Sequence, residues 1–202
     1  MPNADGFAAL GCFVRRGFLD RKTCAHLRAE ARAAPASAAT VRADDRSYDV
    51  DRSTRSTDWA EVAPKAVELV EQRLTAVMPE VSRHYDLPLT SLQPLQFLVY
   101  REGDFFQRHR DRGEGDGSSF SRAREVAGII FLNGEGDPAT SDAFRGGALT
   151  IYGLVEKPDG EALGLPLRAE EGLLITFSAD LVHEVQPVEA GERHTVVTWF
   201  AR

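Results

Sequence analysis

Residues 100–111 read Tyr100-Arg101-Glu102-Gly103-Asp104-Phe105-Phe106-Gln107-Arg108-His109-Arg110-Asp111. His109 and Asp111 stand two apart. On an extended segment, side chains alternate between faces, so residues i and i+2 point the same way. An imidazole and a carboxylate then converge on one point, and a third ligand has to come from elsewhere in the fold.

Toward the C-terminus, His183 is the natural third member. It sits in Ser178-Ala179-Asp180-Leu181-Val182-His183-Glu184-Val185, after the β-like run Leu173–Phe177. Two histidines and one carboxylate form a facial set that leaves three metal positions open for a co-substrate and O2. A ligand set without thiolate argues against a structural zinc site. His-x-Asp alone also arises by chance on surfaces. His26 and His84 fall in helical stretches and read as structural or solvated, and His194 faces the other side of its strand.

Arg193 follows His183 by ten residues, with Gly191 permitting a turn between them. Arg193, Thr195, Val197 and Trp199 alternate onto one face. A guanidinium there can grip a carboxylate with two parallel hydrogen bonds, and the Thr195 hydroxyl can add a third. That is what the distal carboxylate of 2-oxoglutarate requires, while its keto-acid end can chelate the metal. Taken alone, Arg193 reads more readily as a surface salt bridge; its spacing from His183 reverses that preference.

The chain has 202 residues and a formal net charge of −7, which suits one domain and disfavours nucleic-acid or anionic-membrane binding. Cys12 and Cys24 form no CxxC or metal pattern and read as buried or half-buried thiols of a reduced compartment. No basic leader followed by an apolar core and no long apolar span is present, so a soluble, cytoplasmic protein is expected. Residues 6–18 suggest an early strand entering the core. Asp20 can cap a helix running to about Ala34, where Pro35 ends it. Residues 36–58 are polar: either a solvated surface loop, or a mobile loop or short hairpin lying over a site. Pro64 opens a helix over residues 64–85 with the stripe Val67, Val70, Leu74, Val77, Met78 and Val81. β-like runs follow at 95–100, 125–132, 148–152, 173–177 and 193–200. Helices first and many strands afterwards suggest an α+β protein with a sandwich or barrel core.

The segment Tyr100-x-x-Gly103-x-x-Phe106-x-x-His109-x-Asp111 resembles the iron-binding motif of the prolyl 4-hydroxylase superfamily of iron(II)/2-oxoglutarate-dependent dioxygenases. His183-Glu184-Val185-Gln186-Pro187-Val188, Gly191-x-Arg193 and Thr198-Trp199-Phe200 are similar to its closing motif, and come especially close to that of the hypoxia-sensing prolyl hydroxylases. Phe131-Leu132-Asn133 and Gly146-Gly147-x-Leu149 match the family's strand and double-glycine turn. The resemblance covers about residues 95–202; the N-terminal half shares only the helix-first layout.

The resemblance implies a double-stranded β-helix, or jelly roll, with supporting N-terminal helices. It implies one domain over 1–202, with 1–94 as helical support and substrate-loop region and 95–202 as the metal- and oxoglutarate-binding β core. His109, Asp111 and His183 would hold Fe(II); Arg193, Tyr100 and Thr195 would meet 2-oxoglutarate; O2 is the second co-substrate and ascorbate (vitamin C) the reductant. Collagen-type members use lysine where Arg193 stands, so the chain leans to the arginine-using branch. Some of that branch carry an oxoglutarate-binding tyrosine at Phe131, which Tyr100 or Thr195 would have to replace. The implied reaction hydroxylates an unactivated C–H bond, with succinate and CO2 as co-products. A prolyl or other amino-acid residue of a protein or peptide is the leading substrate; a free amino acid or small metabolite is the competitor. Tyr48, Arg52 and Arg55 in the polar segment are candidate substrate contacts, the arginines toward carboxylates or backbone carbonyls. The loop 112–124 is a candidate flank of the entrance. A non-catalytic jelly-roll binding module, a cupin-type metal enzyme and a nucleic-acid demethylating oxygenase are the alternatives. Retention of all three ligands together with Arg193 opposes the first two, and the acidic balance opposes the third.

Overall fold

The computed structural model describes residues 3–42, 48–113, 120–138, 142–156 and 160–202, and of residues 41, 42 and 48 the backbone only. Helix α1 (Ala4–Ala9), strand β1 (Phe13–Arg15) and helix α2 (Arg21–Ala33) come first. Five short strands follow: β2 (Ala36–Ala38), β3 (Val41–Arg42), β4 (Tyr48–Asp49), β5 (Arg55–Ser56) and β6 (Asp58–Ala60). Helix α3 (Pro64–Tyr85) leads to β7 (Ser91–Leu92), β8 (Gln96–Tyr100) and β9 (Phe105–His109). Then come β10 (Arg124–Phe131), β11 (Phe144–Gly146), β12 (Leu149–Ile151), β13 (Leu165–Leu167), β14 (Leu174–Ser178), β15 (His183–Val185), β16 (Val188–Gly191) and β17 (Arg193–Ala201).

The strand expected over residues 6–18 exists only as β1. The residues before it form α1, because Asn3 Oδ1 accepts from the Gly6 N–H at 3.2 Å and caps an alanine-rich turn. The other two helices lie where their signals stand. Asp20 Oδ1 accepts from the Thr23 N–H at 2.7 Å at the start of α2. Pro64 occupies the first turn of α3, and Asp86 leaves it in the left-handed conformation.

Two antiparallel sheets face one another. The larger runs β1-β14-β10-β17-β8-β6-β2, with β7 also against β17; the smaller runs β13-β12-β15-β9-β5. Alternation along β8, β10 and β17 divides the core. Phe97, Val99, Val126, Ile130, Val196 and Phe200 meet the apolar stripes of α2 and α3. Ala127, Ile129, Phe131 and Trp199 meet Leu149, Ile151 and Leu167 of the smaller sheet. The molecule is thus an α+β protein in three layers, helices, large sheet and small sheet. No helix among the described residues is long and apolar enough to cross a membrane.

The polar segment before α3 is woven into both sheets. β6 and β2 extend the large sheet beyond β8, and β5 extends the small sheet beyond β9. Arg55, Thr57 and Ala60 are buried, so the described part is not a detached surface loop. In the second expected loop, residues 114–119 lie outside the described residues.

Candidate active site

β9 and β15 pair antiparallel with His183 opposite His109, and Val185 opposite Phe106. Three residues on β15 therefore span four on β9, a bulge that puts Phe106 and His109 on the same face. Their rings stack at 3.6 Å and 17°. Asp111 follows the end of β9; its backbone N–H donates to Ala179 O at 3.1 Å, which ties it to the turn before His183.

The three groups converge. Asp111 Oδ1 lies 3.7 Å from His109 Nε2, and Oδ2 lies 3.4 Å from His183 Nε2. One ligand atom from each residue falls within 4.8 Å of the others. His109 Nδ1 is 2.8 Å from Gln107 O, and His183 Nδ1 is 3.0 Å from Leu181 O. A carbonyl can only accept, so each Nδ1 carries a proton and Nε2 is the nitrogen of each ring that faces Asp111. Burial, then the neighbouring His183, pushes the His109 pKa down to about 3, so its ring stays neutral. Burial, the largest effect, would raise Asp111; the neighbouring His183, His109, Trp199 and Arg124 together hold the carboxyl below its ordinary value. Two imidazole Nε2 atoms and one carboxylate brought to one point fit a divalent metal, to which each ring would offer its Nε2 lone pair.

These residues open onto a cavity of about 590 Å³. Arg193, at the start of β17, shares its lining and is 1% exposed. Its Nη1 donates to Thr195 Oγ1 at 3.4 Å, while Nε and Nη2 are buried without an acceptor. The guanidinium lies 5.0 Å from the Tyr100 ring and 5.2 Å from the Phe131 ring. Burial lowers its pKa to about 10, so it remains a cation at neutral pH. A buried cation with two orphaned donors fits a carboxylate. Gly147 makes room for its stem: at φ +61° a Cβ would stand 3.1 Å from Arg193 Cδ and 2.9 Å from Val188 Cγ2. Asn133 fixes the approach to β17. Its Nδ2 donates to Asp142 O and Glu192 O at 2.8 and 2.7 Å, and its Oδ1 accepts from the His194 N–H at 2.9 Å.

The structure thus brings His109, Asp111, His183, Arg193 and Tyr100 to one cavity, with Thr195 against Arg193. Arg55 lines the same cavity. Arg52 does not: it is exposed and pairs with Asp58 at 3.2 Å. Tyr48 lies in β4, and its side chain is outside the described residues. His194 points to the helix-facing side, 3.2 Å from Glu192, as alternation along β17 requires. The sequence reading missed Arg124, whose guanidinium lies 3.5 Å over the Trp199 ring and donates to Asp111 O at 3.2 Å. The sequence does carry its partner, since Trp199 alternates onto the face of Arg193. The reading also missed Gln96, which meets Arg55 from β8.

Residues 95–201 match the family model of the 2OG-Fe(II) oxygenase superfamily. A PKHD-type hydroxylase of Synechococcus elongatus is 35% identical over 106 residues, 52% of this chain and 41% of that protein. One from Rippkaea orientalis is 29% identical over 109 residues, 54% of this chain and 43% of that protein. The chain spans less than half the length of these curated relatives. Among solved structures, a Pseudomonas putida prolyl-4-hydroxylase aligns with a TM-score of 0.68 at 22% identity, over 98% of this chain and 96% of that one. A Trichoplax adhaerens prolyl hydroxylase, solved with a hypoxia inducible factor oxygen degradation domain peptide fragment, aligns at 0.68 and 16% identity, over 98% and 86%. At these identities the two structures show a shared fold.

Proposed function

We propose, from the premise that the chain belongs to the 2OG-Fe(II) oxygenase superfamily, that it is a 2-oxoglutarate-dependent dioxygenase hydroxylating an unactivated C–H bond. One observation carries this reading. A His-Asp-His cluster with Asp111 and His183 buried and His109 half-buried, and a buried arginine with orphaned donors, line the same cavity. His109, Asp111 and His183 would hold iron(II), their Nδ1–H bonds to Gln107 O and Leu181 O fixing the rings. Arg193 would receive the distal carboxylate of 2-oxoglutarate, with Thr195 and Tyr100 beside it. Bound there with 2-oxoglutarate and O2, the metal supplies the oxidising power, and succinate and CO2 are the co-products. The apolar walls of Phe106, Leu98, Ile129 and Leu149 would limit water at the reacting end.

Two facing antiparallel sheets and the aligned prolyl hydroxylases support a double-stranded β-helix, with 1–202 as one oxygenase domain. The substrate reading is a prolyl or other amino-acid residue of a peptide or protein. It is supported by the aligned prolyl hydroxylases, one of which was solved with a peptide fragment. Ascorbate is the expected reductant. In the test, succinate release is measured with iron(II), ascorbate and 2-oxoglutarate. His109→Ala or Asp111→Ala is expected to abolish release while circular dichroism stays unchanged; undiminished release from a folded variant removes that residue from the metal set.

A further inference from the structure

Arg55 is a buried charge that the chemistry above leaves unused. It is 8% exposed, and stands opposite Phe106 across the β5–β9 pair. Its Nη1 donates to Thr40 O at 2.9 Å and its Nη2 to Gln96 Oε1 at 3.3 Å; Nε is buried without an acceptor. Both partners are neutral, and no carboxylate pairs with Arg55 among the described residues. Its guanidinium lies 4.7 Å over the Phe106 ring, which stacks on His109. One aromatic ring therefore separates this cation from a candidate metal ligand.

The wall around it is cationic in a chain whose net charge is −7. Arg110, Arg112, Arg124 and Arg193 line the cavity with Arg55, whereas Asp111 is its one acidic lining residue among those described. Arg193 is accounted for by oxoglutarate. Arg112 is matched by Glu125 and by Asp180 at 3.1 Å. Arg124 stacks on Trp199 and bonds Gln93 Oε1 at 2.9 Å. A guanidinium buried against neutral acceptors alone is unfavourable, and an arriving anion relieves it. The cationic walls also draw an anion inward.

We infer that the substrate carries a carboxylate and that Arg55 receives it, placing the oxidised C–H bond a short reach from an acidic group. The inference rests on the oxygenase reading. The carboxylate has two possible sources, the main-chain carboxylate of a free amino acid or an acidic side chain within a peptide. Arg55 is thereby a specificity-determining residue, positioned by Gln96 and Thr40.

Calorimetry without O2 on the protein loaded with iron(II) and 2-oxoglutarate tests this. The probes are free amino acids against their α-amides, and blocked dipeptides carrying Asp or Glu against Asn or Gln. In one arm the acid is expected to bind about tenfold or more tighter than its amide, and the arm identifies the source. Arg55→Gln is expected to erase that preference while 2-oxoglutarate binds as before; Arg55→Lys is expected to retain part of it. Three outcomes overturn the inference: no acid exceeds its amide on the unaltered protein, the preference survives Arg55→Gln, or folded Arg55→Gln loses 2-oxoglutarate instead. The first needs no variant, so a misfolded Arg55→Gln does not shelter the idea. Failure of the unaltered protein to bind 2-oxoglutarate is a different result and strikes the oxygenase reading itself.

Discussion

Arg193 carries the strongest single-residue expectation. Its buried Nε and Nη2 lack acceptors, and these are the donors that the proposed 2-oxoglutarate carboxylate would meet. Arg193→Ala is expected to raise the 2-oxoglutarate concentration needed for half-maximal succinate release by roughly 10- to 100-fold, the loss of a charge-assisted bidentate contact. An unchanged requirement would mean that the carboxylate docks elsewhere. Phe131 offers no hydroxyl to this carboxylate, and its ring 5.2 Å from the guanidinium contributes only packing. Arg193, Thr195 and Trp199 were legible because β17 obeys strict alternation, and any residue on its inner face could be named from parity. Arg55 was legible as a charged residue in the right segment, but its burial was not. That depends on a two-residue strand pairing with β9 across fifty positions of sequence, and such pairing leaves no local pattern.

Among the elements, the turn from β11 to β12 is where a small change has a large effect. Gly147→Ala puts a Cβ into a left-handed position against Val188 and Arg193. A destabilisation of about 1–3 kcal/mol is expected from the urea midpoint, together with a weaker hold on 2-oxoglutarate as the Arg193 stem shifts. Loss of stability with unaltered oxoglutarate binding would show the glycine to be structural only. The long elements were readable because their signals repeat. Asp20 and Pro64 mark the starts of α2 and α3, and six apolar side chains of α3 lie toward the core. The short ones were not. α1 has six residues, and β15 and β16 have three and four, too few for a period to show. They exist because the large sheet and its neighbours supply the hydrogen-bond partners.

At the scale of the whole molecule, folding couples to pH through His194. Its ring is wholly buried between the helices and the large sheet, and burial lowers its pKa from 6.5 to about 4. The unfolded chain binds the proton first, so this contribution is complete above about pH 6.5 and drains away as pH falls toward 4. Its size is on the order of 3 kcal/mol. Urea midpoints of the parent and His194→Gln are expected to converge over that interval, and parallel curves would contradict the assignment. Removal of metal bears on function more than on folding. Both main apolar clusters form without His109, Asp111 or His183. Treatment with a chelator is expected to stop succinate release and to lower Tm by only a few degrees, through the lost binding energy of the folded state. Collapse of the far-ultraviolet spectrum on chelation would show instead that the metal holds the sheets together.

The bulge in β9 amounts to a phase slip of half a strand period. Upstream of it, odd and even positions keep one assignment of faces; downstream the assignment is inverted, which is how 106 and 109 come to share a side. Deleting Gln107 would restore the phase and turn either Phe106 or His109 outward while leaving the chain's composition almost untouched. In this fold, therefore, the parity of a five-residue strand decides whether His109 can join Asp111 and His183 at the proposed metal centre.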